Sequence, residues 1–413
     1  MSEPGTGPWR RAEASRLIEF GRAAALPDGG FGWLGADGKI DPAQPRPLYV
    51  NLRMTYVFAL AHLDGVAGAD SLAASGLQAL ASRYADGESG GWFSSIDRSG
   101  TVIDVTKANY AHAHALLAAA SAAAAGIPGA DAALAAAIVT IERHFWSDAE
   151  GCALESWNAD FTESEPYRGA NSNMHSVEAY LAAGDVTGDP LWHARAMSIA
   201  ARLINGHARA HSWRVPEHYD QNWQPRPDYN LDRPGDQFRP YGTTPGHSFE
   251  WARLLLTLEA AQASPPAWLL EAATGLFDMA VADASNRDGH PGLIYTVGPD
   301  GQPVITSRLH WVACEAVLAA DALHRRTKEE RFAAAAALWW EEIDRYFLDR
   351  KDGGWWQELA PDMTPAASTW SGKPDLYHSY QAVLLPSLPI SPTAATALAR
   401  RRSGGAQKDS GPD

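Results

Sequence analysis

Along the chain, apolar and polar positions sort into two kinds of helix-length segment. In one kind, charges fall on one side at three- and four-residue spacing, as in AAAIVTIERHFWSD around Asp148 and ALWWEEIDRYFLDR before Asp352. A helix of that sort keeps one solvated face. In the other kind apolar residues run nearly all round: NLRMTYVFALAHL, KANYAHAHALLAAASAAAA, NMHSVEAYLAA, GHSFEWARLLLTLEAA, HWVACEAVLAADAL and YHSYQAVLLPSL. Helices with this pattern belong in an interior. Between each outer segment and the next inner one lies a Gly-rich stretch carrying aromatic and β-branched residues. These stretches open at Asp28, Asp86, Asp148, Asp220, Asp288 and Asp352, the third and fourth being degenerate copies. Each reads as a small hairpin or extended loop.

Self-similarity at a period of roughly sixty residues marks a repeat architecture. Six outer–inner pairs predict an all-α fold, a single (α/α)6 barrel of six inner and six outer helices with short β-hairpin loops at its mouth. The barrel is expected over residues 1–390. The Ala-, Arg-, Gly- and Ser-rich remainder, 391–413, is expected to be a disordered tail. One long insertion, WRVPEHYDQNWQPRPDYNLDRPGDQFRPY over 213–241, interrupts the period, and long structured loops of this kind are commonly functional or lid-like.

Composition narrows the function classes. The 413 residues are 46% hydrophobic and 20% charged, enough to bury a large core, and the formal net charge is -15. A chain this acidic repels phosphate backbones and anionic lipid, so neither nucleic acid nor membrane is expected as a partner. Its two cysteines, Cys152 and Cys314, supply neither a disulfide framework nor a zinc-ligand spacing. No signal-peptide pattern opens the sequence and no apolar run is long enough to span a bilayer, which points to a cytoplasmic protein.

Three inner segments begin alike. His175-Ser-Val-Glu178, His247-Ser-Phe-Glu250 and His378-Ser-Tyr-Gln381 share the pattern His-Ser-x-[Glu/Gln]. A lone histidine on an apolar helix more often caps it or fills a core gap. Three at matching helix starts, converging on one mouth, instead point to a catalytic set. The positive end of a helix dipole favours the neutral, base-competent imidazole. Other inner segments offer Arg53, Tyr110, and Arg308-Leu-His310-Trp311 with Glu315 a turn later. Arg53 in an apolar helix is costly to bury unless it meets an anion, a polar ligand or an ion-pair partner. His112 and His114 lie deeper and read as structural. Among the 16 tryptophans, Trp33, Trp311 and Trp355 fall on mouth segments, where an aromatic face can stack on a sugar; the rest serve as packing.

The segments RPLYVNLRMTYVFALAH, YRGANSNMHSVEAYLAAGDVTGD, YGTTPGHSFEWARLLL and KPDLYHSYQAVLLP resemble the N-acylglucosamine 2-epimerase superfamily, from about residue 10 to about residue 390. The similarity is to its aldose–ketose isomerase branch, that of D-mannose and sulfoquinovose isomerases. The resemblance implies an (α/α)6 barrel needing no metal or other cofactor, with a monosaccharide as its small-molecule substrate. It implies that His247 moves a proton between C1 and C2, that His378 helps open the sugar ring, and that His175 is a third active-site histidine. It places Arg53, Tyr110, Asn171, Glu178, Arg239, Glu250, Trp311 and Gln357 around the substrate. A monomer or homodimer is expected.

An imidazole near its usual pKa of about 6.5 suits proton transfer at neutral pH. Glu250, one turn beyond His247, is expected to orient that ring. Arg53 or Arg239 is expected to stabilise the developing enediolate oxygen. The histidines lack the carboxylate-rich spacing of a metal site in a sugar isomerase. Other readings remain open: C2 epimerisation of an N-acylglucosamine or cellobiose type, sulfoquinovose isomerisation, non-catalytic carbohydrate binding, or glycoside hydrolysis. The last would use two carboxyls about 5–9.5 Å apart from among Glu178, Glu250, Glu315 and Asp375.

Overall fold

The computed structural model describes residues 2–409. In chain order its helices are α1 (Gly7–Gly21), α2 (Leu48–Leu63), α3 (Ala69–Ala79), α4 (Asn109–Ala124), α5 (Ala130–Thr140), α6 (Ala170–Thr187) and α7 (Pro190–Ala200). They continue with α8 (Pro245–Ala260), α9 (Trp268–Ala284), α10 (His310–Thr327), α11 (Glu330–Glu342), α12 (Tyr377–Leu384) and α13 (Ala394–Asp409). Even-numbered helices are the inner ones, each in contact with the next, and α12 returns to α2 to close the ring. The odd-numbered helices α3 to α11 each pack on the inner helix before them, while α1 packs on α12. Both ends of the chain therefore build the sixth hairpin. Buried residues cover nearly the whole circumference of α2, α4 and α8, as their apolar sequences require. Alanine dominates α4, where the best helix-forming residue also permits close helix approach. The fold is the expected (α/α)6 barrel.

The mouth is a ring of short strands shared between neighbouring repeats. The strand entering α2 (Arg46–Pro47) pairs with Ser95–Ile96 of the next loop. Lys107–Ala108 before α4 pairs with Ser156–Trp157, Tyr167–Gly169 before α6 with His218–Asp220, and Arg308–Leu309 before α10 with Glu358–Leu359. At the remaining two junctions Thr243 bridges Val297, and the Lys373 N–H donates to the Leu34 carbonyl at 2.8 Å. The first N–H of four inner helices, from Leu48, Asn109, Ala170 and His310, donates to the carbonyls of Ser94, Glu155, Glu217 and Gln357 at 2.8–3.0 Å. These donors would have no partner within their own helix, so these four inner helices are each capped by the following repeat.

A buried cation pins five of the six entries. Arg46 bonds Asp28, Lys107 bonds Asp86, Arg168 bonds Glu150, Arg308 bonds Asp288 and Lys373 bonds Asp349. The exposures of the five cations run from 0% for Lys107 to 8% for Arg46, so these pairs are structural rather than surface ornaments. The fourth repeat, which carries the long insertion, shows no such pair.

At the closed end, α13 packs on α2, α4 and α6, with Ala395 and Leu398 buried. The expected disordered tail is instead helical over Ala394–Asp409, anchored by Ala395 and Leu398 against the inner helices; residues 410–413 lie outside the described part. Cys152 and Cys314 are buried and unpaired. Among the described residues no helix is long and apolar enough to cross a membrane.

Burial alone would raise the carboxyls of Asp28, Asp86, Glu150 and Asp349, yet the hydrogen bond from each partner cation helps hold them below their ordinary values. For Asp288 the Arg308 bond is itself the largest influence, and it also lowers. A carboxyl depressed on folding stabilises the fold above its unfolded pKa of about 4 and loses that contribution as pH falls below it. Urea titrations should therefore show stability dropping as pH is lowered from about 6 to about 3. Lys373→Met should cost about 3–5 kcal/mol at neutral pH by leaving the buried Asp349 unpaired. That deficit should shrink at low pH, where Asp349 becomes neutral.

Candidate active site

Counting from the start of each inner helix reveals two layers. The second residues are Tyr49, Tyr110, Asn171, Gly246, Trp311 and His378. The sixth residues of α2, α4, α6, α8 and α10 are Arg53, His114, His175, Glu250 and Glu315, all polar. Four residues of helix rise separate the layers by about 6 Å. Within the lower layer, neighbours touch in ring order. Arg53 Nε donates to His114 Nε2 at 3.2 Å. The His114 and His175 rings lie 4.6 Å apart, and His175 Nδ1 lies 3.8 Å from Glu250. On the other side of Arg53, Asp375 accepts from Nη1 at 3.3 Å.

Two histidine–carboxylate dyads stand above this belt. His247 Nδ1 lies 2.9 Å from Glu217 Oε1, and His378 Nδ1 lies 2.9 Å from Glu315 Oε1. An ionised carboxylate only accepts, so each Nδ1 is the donor and each Nε2 keeps its lone pair. The Trp311 ring stands between them, 5.2 Å from His247 and 5.7 Å from His378. Gly246 makes this possible, since a Cβ there would collide with the Trp311 ring. Burial, followed by the charges of Arg53 and His310, lowers the pKa of His378 well below the usual histidine range. Burial and Arg53 do the same to His175.

Beneath the histidines, Arg253 is surrounded by carboxylates. Its Nε donates to Glu315 at 3.0 Å, and Nη2 lies 3.5 Å from both Glu178 and Glu250. Burial and the Glu315 charge push Glu250 well above the usual carboxyl range. Burial also raises Glu315, although Arg253 opposes the shift. His175, Glu178 and Glu250 on one side, and Glu250, Glu315 and His378 on the other, could each gather a metal ion by proximity. In this structure the Arg253 guanidinium is the cation those carboxylates face.

The comparisons with known proteins meet this geometry. Residues 29–382 match N-acylglucosamine 2-epimerase (GlcNAc 2-epimerase). The chain belongs to that family. It is 49% identical over 392 residues to the D-mannose isomerase of Thermobifida fusca, covering 95% of this chain and 96% of that one. To the D-mannose isomerase of Pseudomonas cannabina pv. alisalensis it is 46% identical over 403 residues, covering 97% of each. A crystal structure of D-mannose isomerase superposes with a TM-score of 0.87 at 31% identity, over 94% of this chain and 99% of the other. The cellobiose 2-epimerase of Spirochaeta thermophila shares the fold at a TM-score of 0.80 and 20% identity, over 96% and 97% of the two chains.

In this member of the epimerase family, Arg53, Tyr110, Asn171, His175, His247, Glu250, Trp311, Gln357 and His378 line one pocket, with Asp375 at its edge and Phe238 from the long insertion over it. Glu178 does not line it. It lies one turn below His175, where it accepts from Tyr377 and roofs a second chamber toward the closed end. Arg239 lies in the outer vestibule, doubly bonded to Glu165 at 2.7 and 2.8 Å and stacked on Tyr167. Its charge is thereby engaged away from the pocket. Trp355 is buried and donates to Glu13, so it too is corrected to a packing role, while Trp33 reaches the vestibule. His175 is the sixth residue of its helix whereas His247 and His378 are the third and second of theirs; the shared motif conceals a one-turn offset.

Glu217, not Glu250, orients His247. The sequence reading missed it because the fourth repeat is degenerate there. Its signal is positional: Ser94, Glu155, Glu217 and Gln357 all cap the preceding inner helix, and two of the four are carboxylates beside the mouth. Of the deeper histidines, His112 accepts from the Trp92 N–H at 3.2 Å and is structural, whereas His114 meets Arg53. Replacing Glu217 by Gln should preserve the fold but lower kcat about 10²-fold or more, by withdrawing charge from the protonated His247; steady-state kinetics on the purified variant would check it.

Proposed function

We propose that this protein is an aldose–ketose isomerase that converts D-mannose to D-fructose through a cis-enediol(ate). The observation that carries this reading is the pair of histidine–carboxylate dyads flanking Trp311 in one pocket. Its support from relatives is the 46–49% identity to proteins named D-mannose isomerase, over nearly their full length.

His378 Nε2 takes the proton of the anomeric hydroxyl as the ring C1–O5 bond breaks and delivers that proton to O5, which returns the imidazole to its neutral form. The open-chain aldose is left with its carbonyl at C1. His247 Nε2 then removes the proton from C2 while Glu217 stabilises the imidazolium. Electrons move to the C1 oxygen, giving the enediolate, whose negative charge the Arg53 guanidinium offsets. The proton of the C2 hydroxyl passes to the C1 oxygen, and collapse to the C2 carbonyl, with the proton on His247 returned to C1, yields the ketose. One base working across adjacent carbons keeps the transfer on one face of the substrate.

Competing readings meet specific obstacles. A sulfonated sugar would call for a further cation, and among the described lining residues Arg53 is the one guanidinium or ammonium, already paired with Asp375. Glycoside hydrolysis would need two free carboxyls at the bond to be cut. Of the carboxyls at the pocket, Asp375 is instead paired with Arg53 and Glu250 faces Arg253, while Glu217 and Glu315 hold His247 and His378.

The test is D-mannose incubated with EDTA-treated protein, with the products separated by chromatography. D-fructose is expected. Glucose without fructose would replace this reading with C2 epimerisation, and no conversion would overturn D-mannose as substrate. His247→Ala and His378→Ala should each abolish turnover, by about 10³-fold or more, with unchanged circular dichroism. Appreciable activity in either variant would remove that histidine from the mechanism.

A further inference from the structure

We propose that His114, which the sequence marks as structural, is a positioning residue that aims Arg53 into the substrate pocket. The inference rests on the reading of Arg53 as the group that meets the enediolate charge.

Arg53 is held on every side. Its Cζ lies 5.4, 5.7 and 4.7 Å from the ring centroids of Tyr49, Tyr110 and Tyr377. Nη2 donates to the Tyr110 hydroxyl, Nη1 to Asp375 at 3.3 Å, and Nε to His114 Nε2 at 3.2 Å. The two Nη contacts can be kept while the planar group tilts. The Nε contact fixes the root of the fork, and with it the direction of the remaining N–H bonds.

His114 suits that task for a reason of charge. Its Nδ1 lies 2.8 Å from the Tyr110 carbonyl, one helical turn back. A carbonyl can only accept, so Nδ1 carries the hydrogen and Nε2 presents a lone pair to Arg53. Burial, the His175 ring and the Arg53 charge itself oppose protonation of this ring. A carboxylate at the same place would orient Arg53 equally well but would cancel its charge, which Asp375 already partly offsets. The neutral imidazole orients the guanidinium and leaves its field available to a developing oxyanion. His175, the adjacent histidine of the belt, has no hydrogen-bond partner at Nδ1, so the belt does not by itself impose such a bond.

Two substitutions separate the bonds of His114. His114→Gln places an amide oxygen where Nε2 stands, and His114→Asn places an amide near Nδ1. Kinetics on D-mannose should show His114→Gln within about threefold of the parent, whereas His114→Asn loses about 10²-fold in kcat with KM nearly unchanged. If the effect passes through Arg53, adding His114→Asn to Arg53→Met should cost no further activity. Parental kcat in His114→Asn, equal damage in His114→Gln, or additive losses in the double variant would each overturn the proposal. Parental kcat in Arg53→Met would instead overturn the reading of Arg53 on which it rests. The double-variant comparison keeps its meaning even where a single variant loses some thermal stability.

Discussion

The structure turns on one guanidinium. Arg253, inside the ring of inner helices, lies within 3.5 Å of Glu178, Glu250 and Glu315, all withdrawn from water. Three carboxylates around one cation cannot all remain charged in so dry a place without a large desolvation penalty. The arrangement resolves this by favouring the neutral form of Glu250, pushed upward by burial and by the Glu315 charge, while Tyr377 donates to Glu178 and Arg253 donates to Glu315. Glu315 in turn fixes His378. The orientation of an imidazole at the mouth thus depends on charge balance a turn below it.

That dependence explains why the pocket is layered. The upper layer offers flat or hydrogen-bonding surfaces, Tyr110, Asn171, Trp311 and His378. From the lower belt Arg53 holds the Tyr110 hydroxyl and Glu315 holds the His378 ring. An imidazole can change its proton count on a substrate only if what lies behind it does not move, and preorganised dipoles are worth most where water is excluded. His247 is the exception in its support, resting on Glu217 from a loop rather than on the belt.

Much of this was legible in the sequence. The six apolar segments, with the glycine-rich stretches between them, predict the barrel, because a helix apolar on all sides has only an interior to occupy. His247, His378 and Arg53 stand out as polar groups in helices that should hold none. The offset of His175 was not legible, since His-Ser-x-[Glu/Gln] looks identical at three starts, and only the strand pairing shows where each helix begins. The pairing that draws Arg239 into the vestibule was not legible either, because its partner Glu165 lies 74 residues away in the chain, beyond any local pattern. Glu217 escaped because its part is set by a carbonyl that caps another repeat's helix.

The strand ring has a consequence for how such a protein can change. In an open solenoid each repeat leans only on its neighbours and an end unit can be lost or added. Here four of the inner helices are capped by the repeat that follows, and the sixth hairpin is assembled from the two ends of the chain. Removing a unit would break its junctions with both neighbours and leave the ring unable to bring α1 against α12. The number of repeats is therefore frozen, and variation is left to the segments that hang from the ring, above all residues 228–239, which follow the ring strand His218–Asp220 and carry Phe238 to the pocket.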